Sequence, residues 1–428
     1  MKYCIIIPDG AADLPLDELG GKTPLEAAHL PNIAKLAKLG RVGSAMTTPD
    51  EFEASSDVCS MSLLGYDPKR YHTGRAPLEA AALGLNPGPR DWIFRLNLIT
   101  TGQPGTDADG LMIDHSAGAI TDAEAGALVH DLVAFWRAKA PEAMQGISVT
   151  PGVSYRNILI DASGREYADA NTVPPHAIPG DLWKDHLPKG RNAGMLRGLI
   201  ELSADFLPRH EINLARAEQG LGPATLAWMW GQGTRPTVPS FASRFGIRGG
   251  MITSVDLLAG IASFIGWDRI PVAGLTSYHD TDYAGQGRAT VAALDSYDLV
   301  CSHIEATDEA SHQADWQTKV ASLEAIDKHI VGPVMHALDR FGDPERYPES
   351  GLGWRILIMP DHFTLCSTRK HDATPVPFLM AGAWIRSAVQ REFTEAAAEE
   401  SDLIIDPGHE LMEYFLRSGL LRTGNKAR

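Results

Sequence analysis

Positive charge is scarce in this chain. Its 428 residues carry 38 lysines and arginines against 54 aspartates and glutamates, which gives a formal net charge of -16. Nucleic acids and anionic membranes require a basic face on the protein, so this balance argues against both as partners. An anionic small molecule would have to be held by a local group of arginines or by bound metal.

Cysteines and long apolar runs are also rare. There are four cysteines, and they form neither a CxxC pair nor a disulfide-like framework. No apolar stretch approaches the roughly 20 residues that span a bilayer. The first residues lead into a core-like strand without a signal-peptide pattern. We expect a cytoplasmic protein with reduced thiols and no membrane partner.

Aspartates and histidines follow three short apolar runs. Asp9 follows residues 3–8, Asp308 and His312 follow residues 298–301, and Asp361, His362 and His371 follow residues 356–359. Such runs are typical of strands buried on both faces of a parallel sheet. Because ligands bind outside the carboxyl ends of such strands, we expect these side chains to meet at one edge. Each also has a plainer interpretation, as a turn cap or as part of a solvated loop.

Together, these three aspartates and three histidines suit divalent transition metals and are numerous enough for two ions. Charged residues gain nothing from a sheet edge unless they are paired or bound to metal. Ser56 lies where a loop leads into a helix, within residues 55–65. A serine there is most often an N-cap, but the same position suits a phosphorylated nucleophile. Two metals beside such a serine predict phosphoryl transfer through a phosphoserine.

The middle of the chain differs in pattern from its ends. After Asp91 the residues alternate between apolar and polar, as in antiparallel strands. The predicted strands and helix lie at 92–99, 112–115, 122–139 and 154–160. We therefore predict an α+β domain at 96–245, inserted into a catalytic metal-binding domain formed by 1–95 and 246–428.

After the insertion the strand and helix pattern of the first domain resumes. It predicts a helix at 254–265, a strand at 270–272, a long amphipathic helix at 315–341 and a helix at about 410–420, before a disordered polar tail at 424–428. Together with the earlier apolar runs, this pattern predicts an α/β fold with a doubly wound, mostly parallel sheet.

In this order the residues resemble the archaeal-type 2,3-bisphosphoglycerate-independent phosphoglycerate mutases of the alkaline phosphatase superfamily. The resemblance covers nearly the full length, and its motifs are specific in combination. They are Pro8-Asp9-Gly10, Ser56-Asp57, Leu63-Leu64-Gly65-Tyr66-Asp67-Pro68, Thr73-Gly74-Arg75, Pro77-Leu78-Glu79-Ala80, Asp308 through His312, Pro360-Asp361-His362, and His371 before Pro375-Val376-Pro377.

The resemblance implies a fold of the alkaline-phosphatase type with two divalent ions at its active site. One ion would be held by Asp9, Asp361, His362 and the nucleophile Ser56. The other would be held by Asp308, His312 and His371. Manganese is the expected metal, with zinc, cobalt or magnesium as alternatives, and no 2,3-bisphosphoglycerate is needed.

The resemblance also implies that the inserted domain is a cap that binds the carboxylate and phosphate of a phosphoglycerate. Arg75, Arg156 and Arg216 are the candidate binding residues, with Arg75 also catalytic. Asp114 is a candidate acid or base near the substrate hydroxyls. Each cap residue has an equal alternative as a surface ion pair. The implied activity interconverts 3-phosphoglycerate and 2-phosphoglycerate in glycolysis and gluconeogenesis, and a homo-oligomer is compatible with it.

Three positions depart from the family pattern. Ser55 precedes the nucleophile where family members carry glycine, and Ala259 and Gln286 stand where they favour lysine. Fewer cations would weaken the stabilisation of a phosphoryl group unless Arg70 or Arg288 replaces them. Two alternatives stay open: transfer to water, as in a phosphatase, and transfer to a small alcohol such as homoserine, as in a phosphotransferase. A third, a catalytically silent metal-binding protein, is disfavoured by the complete ligand set.

Overall fold

The computed structural model describes residues 1–342, 353–386 and 389–418. The chain divides into two compact units. Unit 1 comprises Met1–His72 and Val238–Arg428, and unit 2 comprises Thr73–Thr237. The insertion therefore starts and ends earlier than the 96–245 expected from the sequence.

The described residues contain both strands and α-helices. The strands are β1 (Lys2–Pro8), β2 (Arg41–Ala45), β3 (Trp92–Thr101), β4 (Met112–Asp114), β5 (Ile147–Pro151), β6 (Arg156–Asp161), β7 (Leu226–Thr234), β8 (Gly249–Ile252), β9 (Asp268–Arg269), β10 (Leu299–Ile304), β11 (Trp354–Ile358), β12 (Phe363–Leu365), β13 (Lys370–Asp372), β14 (Val376–Gly382) and β15 (Ile404–Ile405). The α-helices are α1 (Pro24–Ala27), α2 (Pro31–Leu39), α3 (Ser56–Leu63), α4 (Pro68–Tyr71), α5 (Arg75–Ala82), α6 (Asp122–Lys139), α7 (Ala193–Phe206), α8 (Glu211–Glu218), α9 (Phe241–Phe245), α10 (Asp256–Phe264), α11 (Tyr283–Ser296), α12 (Ala306–His312), α13 (Trp316–Ile326), α14 (Gly332–Leu338), α15 (Glu395–Glu399) and α16 (Leu411–Arg417).

Unit 1 contains an eight-stranded sheet in the order β15-β2-β14-β11-β1-β10-β8-β9. The central strand β1 is parallel to β10 and β11, and β14 is antiparallel to its two neighbours. Cys4 and Ile6 of β1 belong to a core cluster with residues of α2, α11, α13 and α14. Ile5 and Ile7, which point to the opposite face, have no exposed area either. The predicted doubly wound, mostly parallel α/β sheet is confirmed.

Unit 2 is built on an antiparallel sheet. Its longest strand, β3, pairs with β4, β6 and β7, and β5 pairs with β6. Residues of α6 and α7 share a core with this sheet, with Trp136 and Trp228 fully buried. Ala76 and Ala80 of α5 pack against Ile93 of β3, which is why unit 2 begins before β3.

Local predictions had mixed outcomes. The prediction of a strand at 270–272 is wrong, because the pairing of β9 with β8 ends at Arg269. The helix expected at 315–341 is divided into α13, a π-helical turn at Asp327–Val331 and α14. The Asp327 carboxylate in that turn accepts the backbone N–H of Ile33 at 2.7 Å. The predicted C-terminal helix is α16, while positions 419–420 and the polar tail lie outside the described residues.

No helix in the described ranges combines the length and the apolar character needed to cross a membrane.

A buried lysine joins the segments that follow β1 and β11. Lys319 of α13 has no exposed area. Its ammonium group donates to the carbonyl of Ala12 at 3.3 Å, to the Asp13 carboxylate at 3.0 Å and to the carbonyl of Thr364 at 2.8 Å. Since a buried charge is tolerated only when it is paired, this contact set makes Lys319 part of the fold.

We expect Lys319→Met to lower the free energy of unfolding by about 3 kcal/mol, because the buried Asp13 side chain would lose its cationic partner. Chemical denaturation of metal-free protein measures the change. Lys69→Met is the matched control, since Lys69 pairs with Glu51 on the surface, where solvent screens the interaction. Equal stability losses in the two variants would contradict a structural role for Lys319.

Candidate metal centre

The topology of unit 1 brings the predicted ligands to one edge of its sheet. Strands β10, β1 and β11 are parallel neighbours, so their carboxyl ends lie side by side. Asp9 follows β1 directly, and Asp361 and His362 follow β11. Helix α12 begins just after β10 and carries Asp308. We call Asp9, Asp361, His362 and Ser56 the first ligand set, and Asp308, His312 and His371 the second ligand set.

The first ligand set surrounds one imidazole nitrogen. His362 Nε2 lies 3.5 Å from Asp9 Oδ1, 3.5 Å from Asp361 Oδ2 and 3.2 Å from Ser56 Oγ. The side chains of Asp9, Asp361 and His362 are almost completely buried. Asp9 Oδ1 has no hydrogen-bond partner among the described residues. A buried carboxylate oxygen that lacks a hydrogen-bond partner and lies next to other possible metal ligands is the arrangement expected where a metal ion binds.

The second ligand set lies next to the first. His312 is one helical turn after Asp308, and its Nε2 is 3.1 Å from Asp308 Oδ2. His371 of β13 brings its Nε2 to 3.4 Å from Asp308 Oδ1. The rings of His371 and His362 stack with centroids 3.9 Å apart. The two sets therefore form a continuous cluster.

The tautomers of two histidines fit metal binding. His312 Nδ1 lies 2.9 Å from the carbonyl of Arg369, and His371 Nδ1 lies 3.1 Å from the carbonyl of Ala54. Because a carbonyl only accepts, each Nδ1 donates its hydrogen, and a neutral ring then has a lone pair on Nε2. These two Nε2 atoms are 3.0 Å apart. Facing lone pairs require a proton or a metal ion, so the donor set fits a divalent cation.

Negative charge is concentrated at this edge. Burial raises the pKa of Asp9 well above its usual value, and repulsion from Asp361, Glu305 and Asp308 raises it further. Burial also acts to raise the pKa of Asp308, but hydrogen bonds with the second-set imidazoles hold that pKa well below its usual value. The pKa of His312 rises to about 9, chiefly because of its hydrogen bond to Asp308. In the metal-free protein, a proton on His312 thus offsets part of the charge that metal would offset.

Ser56 is the first residue of α3. The N-cap position is taken by Ser55, whose side chain makes no capping hydrogen bond. The Ser56 hydroxyl instead faces His362, while one turn later Ser60 Oγ donates to Asp361 Oδ2 at 3.1 Å. The first turn of a helix leaves backbone N–H groups without helical partners, an environment that suits a phosphoryl group. The plain N-cap interpretation of Ser56 is therefore disfavoured.

The three departures from the family pattern leave the ligand sets intact. Ser55 has an extended backbone (φ −160°), which does not require glycine. Ala259 is buried in α10. Gln286 is buried in α11, where its amide donates to Ser302 Oγ at 3.0 Å and to the carbonyl of His303 at 2.8 Å. Arg288, a suggested replacement cation, is 73% exposed and pairs with Asp282.

Sequence reasoning missed His303, at the end of β10. Its Nε2 lies 2.7 Å from Asp9 Oδ2 and 3.6 Å from Glu305 Oε2. In the ionised state that a metal ligand adopts, Asp9 only accepts, so Nε2 carries the hydrogen. Nδ1 then accepts at 3.0 Å from the Thr253 hydroxyl, which itself accepts the backbone N–H of Val255. Burial lowers the pKa of His303 to about 4, which keeps the ring neutral. Although Asp9, His303 and Glu305 are close enough for a metal site, this tautomer makes His303 a residue that orients Asp9. The signal that could have identified His303 is its position near the end of a strand.

Two predicted residues of unit 2 have structural contacts that favour a role in the fold. Asp114 accepts the N–H and hydroxyl of Ser116 and the N–H of Gly118. Burial acts to raise the pKa of Asp114, but these hydrogen bonds lower it overall, so the group is ionised. Arg216 is 3% exposed and donates to Glu124 at 2.8 Å and to three backbone carbonyls. These contacts disfavour Asp114 as an acid and Arg216 as a substrate ligand.

The other two predicted residues, Arg75 and Arg156, lie near a third arginine that the sequence analysis missed. Arg95 is buried in β3, pairs with Glu79 at 2.9 Å and lies over the ring of Trp230. Burial lowers the pKa of Arg95 to about 10, and although Glu79 opposes this, Arg75 and Arg156 add to it. An arginine within an otherwise apolar strand pattern was the signal that could have identified Arg95.

Two histidines border the same arginines. Burial lowers the pKa of His176 to about 4, and the charges of Arg75 and Arg95 lower it further. The rings of His115 and His176 lie with centroids 6.2 Å apart. We call Arg75, Arg95 and Arg156 the cationic group of unit 2. A concentration of arginine donors of this kind is suited to carboxylate or phosphate.

Comparison with known proteins gives a consistent result. Residues 37–213 match the sequence profile of the 2,3-bisphosphoglycerate-independent phosphoglycerate mutase family. An enzyme of that name from Methanothrix thermoacetophila is 41% identical to this chain and covers 97% of this chain and 100% of its own length. A solved structure of a Pyrococcus horikoshii protein matches at 25% identity with a TM-score of 0.76, over 99% of both chains. The cofactor-independent phosphoglycerate mutase of Thermoplasma acidophilum, 23% identical, shares the fold with a TM-score of 0.63 over 97% of this chain and 99% of its own.

We expect the metal-free protein to take up about two Mn²⁺ ions per chain and, near pH 7, to release about one proton on binding. The pKa of His312 is about 9, so His312 is protonated below that pH and must lose the proton to offer its lone pair. Mn²⁺ affinity should therefore increase as the pH rises towards 9. Calorimetry in buffers of different ionisation enthalpy measures the released protons.

His312→Gln should lose one ion and most of the proton release, whereas His130→Gln, at an exposed histidine, should lose neither. Unchanged proton release in His312→Gln would contradict the assignment.

Proposed function

The chain belongs to the family of 2,3-bisphosphoglycerate-independent phosphoglycerate mutases, and we propose that it interconverts 3-phosphoglycerate and 2-phosphoglycerate through a phosphorylated Ser56. The observation that carries this proposal is the position of Ser56 Oγ, 3.2 Å from His362 Nε2 and within the first ligand set. A serine hydroxyl beside two adjacent sets of metal donors is the arrangement that phosphoryl transfer through a phosphoserine requires.

The two ligand sets would hold one divalent ion each. Asp9, Asp361 and His362 would hold the ion next to Ser56, and Asp308, His312 and His371 would hold the other. When bound, such ions lower the pKa of a neighbouring hydroxyl and offset charge on a phosphoryl group. We propose Mn²⁺ as the metal. Aspartate and imidazole donors bind Mn²⁺, and the same donors also accept Zn²⁺, Co²⁺ and Mg²⁺.

The protein residues have distinct tasks in the two half-reactions. Ser56 Oγ forms a bond to phosphorus while the bond between phosphorus and the glycerate oxygen breaks, and the serine proton ends on that glycerate oxygen. In the second half-reaction the other glycerate hydroxyl attacks phospho-Ser56 and returns a proton to it. The first-turn N–H groups of α3 are suited to stabilising the phosphoryl group. His303 and Ser60 keep the two first-set carboxylates oriented.

Unit 2 supplies the residues that hold the glycerate moiety. We propose that the cationic group binds the carboxylate and the phosphate of the substrate. Arg75 and Arg156 are the members of this group that the sequence predicts. Retaining the glycerate between the half-reactions keeps water from taking the phosphoryl group, which separates a mutase from a phosphatase. The substrate is a glycolytic intermediate, so the enzyme would act in the cytoplasm, in glycolysis and gluconeogenesis.

The activity is tested by incubating purified protein with 3-phosphoglycerate and Mn²⁺ while following 2-phosphoglycerate and free phosphate together. We expect the isomer with little free phosphate. Ser56→Ala should reduce turnover by roughly three orders of magnitude or more while most metal binding is retained. Ser62→Ala, on the same helix, is the matched control. Free phosphate as the main product, or activity in Ser56→Ala, would overturn the proposal.

Arg156→Ala should lower the ratio of isomer to free phosphate by roughly 10- to 100-fold, the effect of losing one or two charge-assisted hydrogen bonds to the glycerate. Arg137→Ala removes a solvent-exposed arginine from the same unit and should leave the ratio unchanged. The ratio is read from the same assay, so it does not depend on the amount of active enzyme. An unchanged ratio in Arg156→Ala would remove Arg156 from the substrate site.

A further inference from the structure

Thr364 touches both ligand sets with one hydroxyl group. It lies in β12, two residues after His362, and has no exposed area. Its Oγ1 donates to Asp308 Oδ1 at 2.6 Å and lies 3.1 Å from His362 Nδ1. Asp308 belongs to the second ligand set and His362 to the first. The two sets are thus connected by a chain of two hydrogen bonds.

The direction of these hydrogen bonds fixes the state of His362. A carboxylate only accepts, so the hydroxyl hydrogen of Thr364 points to Asp308. The same oxygen must therefore accept at its other contact, and His362 Nδ1–H is the donor. The lone pair of a neutral His362 is then on Nε2, the atom that faces Ser56, Asp9 and Asp361.

The position of the hydroxyl is determined by its surroundings. The Thr364 backbone N–H donates to the carbonyl of Ala12 at 3.2 Å, and its carbonyl accepts from Lys319 at 2.8 Å. Gly10 has a φ of +58°, and a Cβ there would clash with both Thr364 Oγ1 and Asp308 Oδ1. The absence of a side chain at Gly10 leaves room for the hydrogen bond between them.

We propose that Thr364 is a positioning residue that couples the two metal sites. Its hydroxyl orients the Asp308 carboxylate for one ion and holds His362 in the tautomer that the other ion needs. Hydrogen bonds of this kind to metal ligands govern metal affinity. The inference rests on the two-ion site of the proposed function, but it concerns metal binding and is tested without substrate.

Three variants test this role. Thr364→Val keeps the shape of the side chain and removes the hydroxyl, whereas Thr364→Ser retains the hydroxyl. Thr290→Val is the matched control, because Thr290 is equally buried in unit 1 and its hydroxyl donates to the carbonyl of Gln286, away from both ligand sets. Thermal melting of the metal-free variants measures the structural cost of losing one buried hydroxyl, which we expect to be similar for the two valine variants.

Mn²⁺ binding separates a coupling role from a local one. In His371→Ala the first ligand set remains, and in Asp361→Ala the second set remains, so each background reports on one ion. We expect Thr364→Val to weaken Mn²⁺ binding roughly 10- to 100-fold in both backgrounds. We expect Thr364→Ser to restore most of it and Thr290→Val to change neither. Weakening in only one background, or in none, would overturn the coupling.

The histidine tautomer provides an independent measurement. Nitrogen-15 NMR of metal-free protein labelled at histidine distinguishes Nδ1–H from Nε2–H rings, and the His362 signal is the one lost in His362→Gln. We expect the Nδ1–H form in the unsubstituted protein and in Thr364→Ser, and a shift towards the Nε2–H form in Thr364→Val. An Nδ1–H ring in Thr364→Val would overturn the role assigned to Thr364. Both measurements remain decisive if the mutase assay fails.

Discussion

The crowding of negative charge at one edge of the sheet is the constraint on which the site depends. Parallel pairing of three strands places Asp9, Asp361 and Asp308 together, and Glu305 adds a fourth carboxylate. Burial and mutual repulsion raise the pKa of Asp9 well above its usual value. Such an arrangement is costly unless cations or hydrogen-bond donors offset the charge. The imidazoles and the hydroxyls of Ser60 and Thr364 supply such donors. The Asp9 oxygen that has no hydrogen-bond partner among the described residues is available to a cation.

Hydrogen bonding separates the histidines into two classes. His312 and His371 donate their Nδ1 hydrogens to carbonyls, and His362 donates to Thr364, so their Nε2 atoms can accept a metal. His303 has the opposite tautomer, because Asp9 takes its Nε2 hydrogen. Proximity alone would make Asp9, His303 and Glu305 a third metal site. The tautomer instead identifies a histidine that orients Asp9, and hydrogen bonds of this kind are common at carboxylates that bind metal.

Much of the site was predictable because strand ends leave a local signal. An apolar run followed by aspartate or histidine identifies Asp9, Asp308 and Asp361 without knowledge of the partners. His303 was missed because one polar residue near the end of a buried strand does not alter the apolar pattern. Lys319 was missed because a lysine on an amphipathic helix is normally taken as solvent-exposed. Both depend on contacts with residues about 300 positions away, which local sequence does not encode.

The arginines of unit 2 illustrate the same limit. Arg216 was predicted to bind substrate, but carbonyls of Ala117 and Gly118, far away in sequence, use its donors. Its interactions were decided by the packing of α8, and no periodicity in the sequence reports that packing.

Arg95 is also buried, but its surroundings have a different balance of charge. Burial is the main cause that lowers its pKa to about 10; its ion-pair partner Glu79 opposes the shift, and the charges of Arg75 and Arg156 add to it. Arg75, Arg95 and Arg156 bring three guanidinium groups close together. Carboxylates and phosphates are the groups that such donors bind best. This grouping is the reason we propose that unit 2 holds the anionic groups of one small substrate.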